Sequence, residues 1–146
     1  NRGEILTMNK RDSALLEFSP SDSYDYIRQG VQQVQMTGNQ VIIAHAERYQ
    51  CLLDDIGLAE ELCDMGASIQ VNAGSIVGDG GRRAKKFVKE LMDEDMVFGV
   101  GTDAHGVNTR APKMKKAADY VKKKYGEEYM RRIFFDNAAT LLRKKK

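Results

Sequence analysis

The chain has 146 residues, 42% of them hydrophobic and 30% charged, with thirteen glycines, two prolines and a net charge of +2. That is one domain's worth of chain with a core to bury, residues 1–146 as a single domain, which excludes a disordered or fibrous polypeptide. No run approaches the ~18 apolar residues that cross a bilayer, and the opening NRGEILTMNK lacks the charged-then-apolar order of a secretory signal, so a cytoplasmic protein without membrane insertion is expected.

In chain order, the first predicted strand covers residues 14–18 (ALLEF). Caps in SPSD at 19–22 then introduce a helix whose Tyr24, Ile27, Val31 and Val34 share a face and which ends at Thr37 and Gly38. A second strand is predicted at 40–44 (QVIIA), a helix lined by Leu58, Ala59, Leu62 and Cys63 up to Gly66, and a third strand at 67–71 (ASIQV). Ala84, Phe87, Val88, Leu91 and Met92 fall at helical spacing, followed by a strand at 96–100 (MVFGV). Met114, Ala117, Ala118, Val121 and Tyr125 line a helix entered through Pro112, and a last short helix starts at Asp136 or Asn137 and carries Leu141 and Leu142. Strands alternating with helices imply an α/β fold whose parallel strands, joined by right-handed crossovers, form an open sheet or part of a barrel.

Two features of composition bound the partners. Cys51 and Cys63 make neither a Cys-x-x-Cys pattern nor a disulfide framework, and both are expected to be reduced. Residues 111–146 hold twelve Lys/Arg against four Asp/Glu, and this basic region reads as the solvated face of helices rather than a nucleic-acid surface.

In parallel α/β folds ligands collect at the carboxyl ends of the strands. Those ends carry Glu17, then His45 with Glu47 and Arg48, then Gln70 with Asn72, then Asp103 with His105, and the set includes both histidines of the chain. Imidazole and carboxylate without thiolate is the donor set for Mn, Fe or Zn. Asp103 and His105, two apart, face one side of an extended segment, while Glu17 comes from another strand, and a carboxylate can bridge two cations. Arg48 and Arg110 lie in loops expected on the same face, where a guanidinium fork holds phosphate. The ordinary alternatives are hydrogen-bonded structural histidines and solvated arginines. Gln70 and Asn72 alternate in an apolar strand, either lining a pocket or satisfying nearby backbone. The glycine cluster GSIVGDGG lacks the residue order of a phosphate-binding P-loop.

The residues AHAERY, QVNAGSIVG and GTDAH, with LLEFSP before them and DNAATLL after, occur in an order that resembles the PHP (polymerase and histidinol phosphatase) superfamily. Within it they are similar to the bacterial manganese-dependent tyrosine-protein phosphatases of capsule and exopolysaccharide synthesis. The resemblance implies a distorted TIM-like (β/α)7 barrel with up to three ions in the complete protein, Mn2+ or alternatively Fe or Zn. It makes Glu17, His45, Asp103 and His105 metal ligands, Glu17 as a bridging carboxylate, and makes Arg48, Arg110 and His105 the catalytic residues. The implied substrate is a phosphotyrosine protein, a bacterial tyrosine kinase of polysaccharide synthesis. Ala46 stands where the family usually has proline. The family's opening His-x-His strand has no counterpart, so the chain is expected to be a partial barrel lacking its first strands, inactive by itself or forming a homo-oligomer to cover a bare strand edge. The alternatives are a small-molecule phosphoesterase of the histidinol-phosphate type and a non-catalytic PHP binding module.

Overall fold

A computed structural model describes residues 4–7, 13–102 and 107–142. Five strands form one sheet in the order β1 (Glu4–Thr7), β2 (Ser13–Glu17), β3 (Gln40–Ile43), β4 (Ser68–Asn72) and β5 (Gly99–Gly101). β2 to β5 run parallel, and β1 pairs antiparallel with β2. The protein is therefore mixed α/β, with four parallel strands and crossover helices, as the alternation of patterns predicts. β1 is an addition: residues 4–7 are not among the predicted strands, yet they pair along the outer edge of β2.

Three crossover helices show the predicted faces. Helix α1 (Tyr24–Gln35) buries Ile27, Val31 and Val34, and its cap is Ser23, whose side chain accepts from the Tyr26 N–H, rather than a residue of 19–22. Helix α2 (Gln50–Asp54) is a single turn before α3 (Ile56–Asp64), which buries Ala59 and Leu62 and is capped by Asp55. Helix α4 (Ala73–Ile76) follows β4 directly, and α5 (Arg82–Asp93) buries all five of its predicted core residues, Ala84, Phe87, Val88, Leu91 and Met92. Helix α6 (Val107–Tyr125) begins five residues before Pro112, earlier than the proline suggests. It is followed by α7 (Glu127–Arg131), a π-helical turn (Arg132–Asp136) and α8 (Asn137–Leu142).

The core lies on both faces of the parallel strands. Val41, Ile42 and Ile43 are consecutive and all buried, so β3 is covered on both faces. The register sets Leu16 opposite Ile43, Ile43 opposite Ile69 and Asn72 opposite Gly101, which brings the carboxyl ends of β2 to β5 to one rim. At Gly101 the backbone passes so close to β4 that a Cβ would stand 3.0 Å from the Gln70 side chain.

Candidate active site at the strand ends

The last rung between β2 and β3 is the bond from the Ala44 N–H to the Leu16 carbonyl, at 2.9 Å. Glu17 and His45 are the next residues on each chain. His45 adopts φ 35°, ψ 62°, a left-handed conformation that costs a non-glycine residue about 1 kcal/mol and bends the chain into a 3-10 turn (Ala46–Arg48). The bend turns the imidazole toward β2, where His45 Nε2 stands 3.1 Å from Glu17 Oε2. That separation suits a hydrogen bond. It equally suits a nitrogen and an oxygen that ligate one ion at about 2.1 Å each across a near-right angle. The Glu17 side chain is 46% exposed and that of His45 11%, so the pair sits at the rim with its carboxylate open to solvent, and the donor chemistry fits a divalent cation.

Two buried side chains of the same turn hold it. Tyr49, fully buried, accepts a hydrogen bond from the Phe18 N–H at 3.1 Å and donates one to the Ala44 carbonyl at 2.8 Å. Burial is the main reason its hydroxyl titrates well above the ordinary tyrosine range, with the Glu17 and Glu47 charges adding to it against the Phe18 hydrogen bond, so the group stays a neutral donor. Glu47 is 4% exposed, and its Oε2 accepts from the Asn72 N–H at 3.0 Å and from Ser75 Oγ at 2.6 Å. Glu47 Oε1 and His45 Nδ1 are buried without a hydrogen-bond partner among the described residues.

Beside the pair, a cleft of about 530 Å3 opens at the ends of β3, β4 and β5. Arg48, exposed on the 3-10 turn, lines it with Asn72, Ser75 and Thr102, and the outer wall carries Arg83 and Lys113. Arg83 pairs with Asp54, and Lys113 Nζ with Asp79 Oδ2 at 3.1 Å. The glycine-rich stretch forms the floor, where a Cβ on Gly80 would stand 3.1 Å from Ser75 Oγ.

Residues 1–143 match the family described as capsular polysaccharide synthesis, CpsB/CapC. The chain belongs to the CpsB/CapC family. Among its relatives, the tyrosine-protein phosphatase CpsB of Streptococcus pneumoniae is 34% identical over 144 residues, covering 95% of this chain and 59% of that protein. The tyrosine-protein phosphatase YwqE of Bacillus subtilis is 30% identical over 140 residues, covering 96% of this chain and 55% of that one. A crystal structure from a study of YwqE and CpsB, described there as unique metal-dependent tyrosine phosphatases, superimposes with a TM-score of 0.84 at 30% identity over 97% of this chain and 57% of that chain. This CpsB/CapC chain thus spans somewhat more than half the length of these relatives.

Of the residues singled out from sequence, this CpsB/CapC chain brings Glu17 and His45 together and sets Arg48 on the neighbouring cleft. Asp103 and His105 lie outside the described residues, and Arg110 falls within α6 with its side chain outside the description. Among the described residues no third His, Cys, Asp or Glu joins the pair in a metal-holding group. Gln70 and Asn72 separate: Asn72 lines the cleft, while Gln70 packs against Gly101. Sequence reasoning placed Glu47 at a strand end without a role and assigned none to Tyr49, whereas Glu47 takes two neutral donors and Tyr49 ties the ends of β2 and β3. Ser75, Arg83 and Lys113 were not singled out at all. Their only signal was position, after a strand or on the rim-facing side of a helix.

Proposed function

We propose that this chain is part of a metal-dependent protein-tyrosine phosphatase that acts on the phosphotyrosine of a polysaccharide-synthesis tyrosine kinase in the cytoplasm. The observation that supports this reading most is the approach of His45 Nε2 to Glu17 Oε2 at 3.1 Å, next to an arginine-bearing cleft. The reading takes residues 1–146 as a single partial domain of a distorted (β/α)7 barrel of the PHP type, whose first strands lie outside these residues.

Glu17 and His45 would hold a cation, with Asp103 and His105 as further oxygen and nitrogen donors; Mn2+ is the first choice, Fe or Zn the alternatives, and up to three ions the complement of the whole protein. When bound, such an ion supplies positive charge to the phosphoryl oxygens and lowers the pKa of water. The chain's own residues do the rest. Arg48, on the rim of the cleft, grips the phosphoryl group through its forked N–H donors, and Arg110 is the second such grip. The cleft volume lies in the range of pockets that enclose a small ligand, room for a phosphotyrosine side chain. Water attacks phosphorus as the phenolate departs, and the proton that the water gives up goes to the leaving phenol, through His105 where that residue is not itself a ligand.

The test is turnover of p-nitrophenyl phosphate and a phosphotyrosine peptide by the full-length protein with and without added Mn2+, with histidinol phosphate in parallel. Metal-stimulated hydrolysis that favours the peptide is expected. Absence of metal-stimulated turnover overturns the reading, and preference for histidinol phosphate moves it to small-molecule phosphoesterases.

A further inference from the structure

The segment 44–49 carries two buried polar side chains that the proposed chemistry does not use, and each ties the end of β3 to a different neighbour. Past the last rung of β2 and β3, the backbone groups that need partners are the Phe18 N–H, directly after Glu17, and the Ala44 carbonyl, directly before His45. The Tyr49 hydroxyl takes both, at 3.1 and 2.8 Å, and acts as one more rung between two strands that have begun to part. The Tyr49 ring also stands 5.9 Å from the Phe18 ring, edge to face, and 5.7 Å from the His45 imidazole, closing off the side from which either could swing away. On the other side, Glu47 spans from the 3-10 turn to the Asn72 N–H and Ser75 Oγ at the junction of β4 and α4. One carboxylate oxygen takes both donors and the other has no partner among the described residues, so Glu47 bears the desolvation of a buried polar group for two hydrogen bonds. Arg48 lies between the two anchors.

We propose that Tyr49 and Glu47 are positioning residues with separable tasks: Tyr49 sets the spacing of the Glu17 and His45 pair, and Glu47 sets the cleft wall that presents Arg48 to the phosphoryl group. This rests on the reading that the pair holds a cation and Arg48 a phosphate. Tyr49 then acts on metal affinity, because two ligands on different strands bind one ion well only when their backbones are held at a constant distance. Glu47 acts on substrate affinity, because releasing it frees the turn from β4 while leaving the rung at Phe18 and Ala44 in place.

The experiment compares Tyr49→Phe, Glu47→Gln and Ser75→Ala with the unmodified full-length enzyme, measuring Mn2+ binding by calorimetry and kcat and KM on a phosphotyrosine peptide. Tyr49→Phe is expected to weaken Mn2+ binding about tenfold or more, in the range for groups that orient a metal ligand, with KM within about twofold once Mn2+ is saturating. Glu47→Gln is expected to raise KM about tenfold with Mn2+ affinity within about twofold, since a neutral amide is the weaker acceptor for both donors. Ser75→Ala, which leaves the carboxylate itself in place, shifts KM the same way by a smaller factor. Equal effects of the Tyr49 and Glu47 substitutions on both quantities, or no effect of either, overturn the proposal. Should Tyr49→Phe fail to fold by circular dichroism, amide exchange in the unmodified protein decides: Zn2+ is expected to slow the Phe18 amide about tenfold, and an unchanged rate overturns the Tyr49 assignment. An unmodified enzyme that neither binds Mn2+ nor turns over overturns the phosphatase reading and this proposal with it, a result distinct from an active enzyme whose variants behave alike.

Discussion

The turns after β3 and β4 stand side by side on the same rim and are built by opposite means. After β3, a left-handed histidine starts a turn whose Tyr49 and Glu47 side chains are buried and bonded across to both neighbouring strands. After β4, the chain passes through α4 and then through Gly78 and Gly81 at φ 101° and 98°, with exposed ion pairs at Asp79 and Arg83. The first turn is held by buried hydrogen bonds whose loss strands a donor or acceptor away from water. The second is held by glycine's tolerance of positive φ and by charges that solvent screens. On the proposed reading, ligating groups stand on the first kind of turn and the wall that adapts to a substrate on the second.

The comparison can be broken first at His45. His45→Ala is expected to lower metal-stimulated phosphatase activity of the full-length enzyme at least about a hundredfold, about 2.7 kcal/mol of transition-state stabilisation, as read by kcat/KM. Activity within a fewfold of the unmodified enzyme would mean the stapled turn carries no ligand. Tyr49→Phe comes next, with an expected stability loss of about 2 kcal/mol by urea titration, since it leaves the Phe18 N–H and the Ala44 carbonyl unpaired in the core.

The same residue sharpens the comparison through pH. Because the folded state raises the Tyr49 pKa, its stabilising contribution is fully present below about pH 10, the value of an unfolded tyrosine, and is lost as pH rises through the higher folded value. Tyr49→Phe is therefore expected to lose less stability than the unmodified chain between about pH 10 and the alkaline unfolding limit, as measured by urea titration at each pH. Gly81→Ala on the second turn is expected to cost about 1 kcal/mol, all of it from the backbone, because nothing lies within 4 Å of the added Cβ. Asp54→Ala, which removes the exposed partner of Arg83, is expected to change stability by about 0.5 kcal/mol or less, and less still at high salt. A cost as large as that of Tyr49→Phe would erase the distinction between the two turns.

Much of the scaffold was legible beforehand. The faces of α1, α3 and α5 follow from apolar residues at helical spacing, a local property that burial then confirms at Ile27, Leu62 and Phe87. The short pieces were not legible, because α2, α4 and α7 are each of five residues or fewer, too short for a period to register. β1 is four residues long and owes its form to an antiparallel partner, so its tetrapeptide EILT carried no sufficient signal alone. The helix after β5 was misplaced at its start because proline was read as the first-turn residue, whereas the chain is already helical from Val107.

What the sequence by itself determined is the alternation of parallel strands and helices, the family to which those motifs belong, and the residues that stand where strands end. These depend on periodicity and on order along the chain. What only the tertiary structure decided is which of those residues meet. The bond between Glu17 and His45 joins residues 28 apart, that from Phe18 to Tyr49 residues 31 apart, and that from Asn72 to Glu47 residues 25 apart. Such contacts depend on strand register and on one left-handed residue, and neither leaves a periodic trace in the chain.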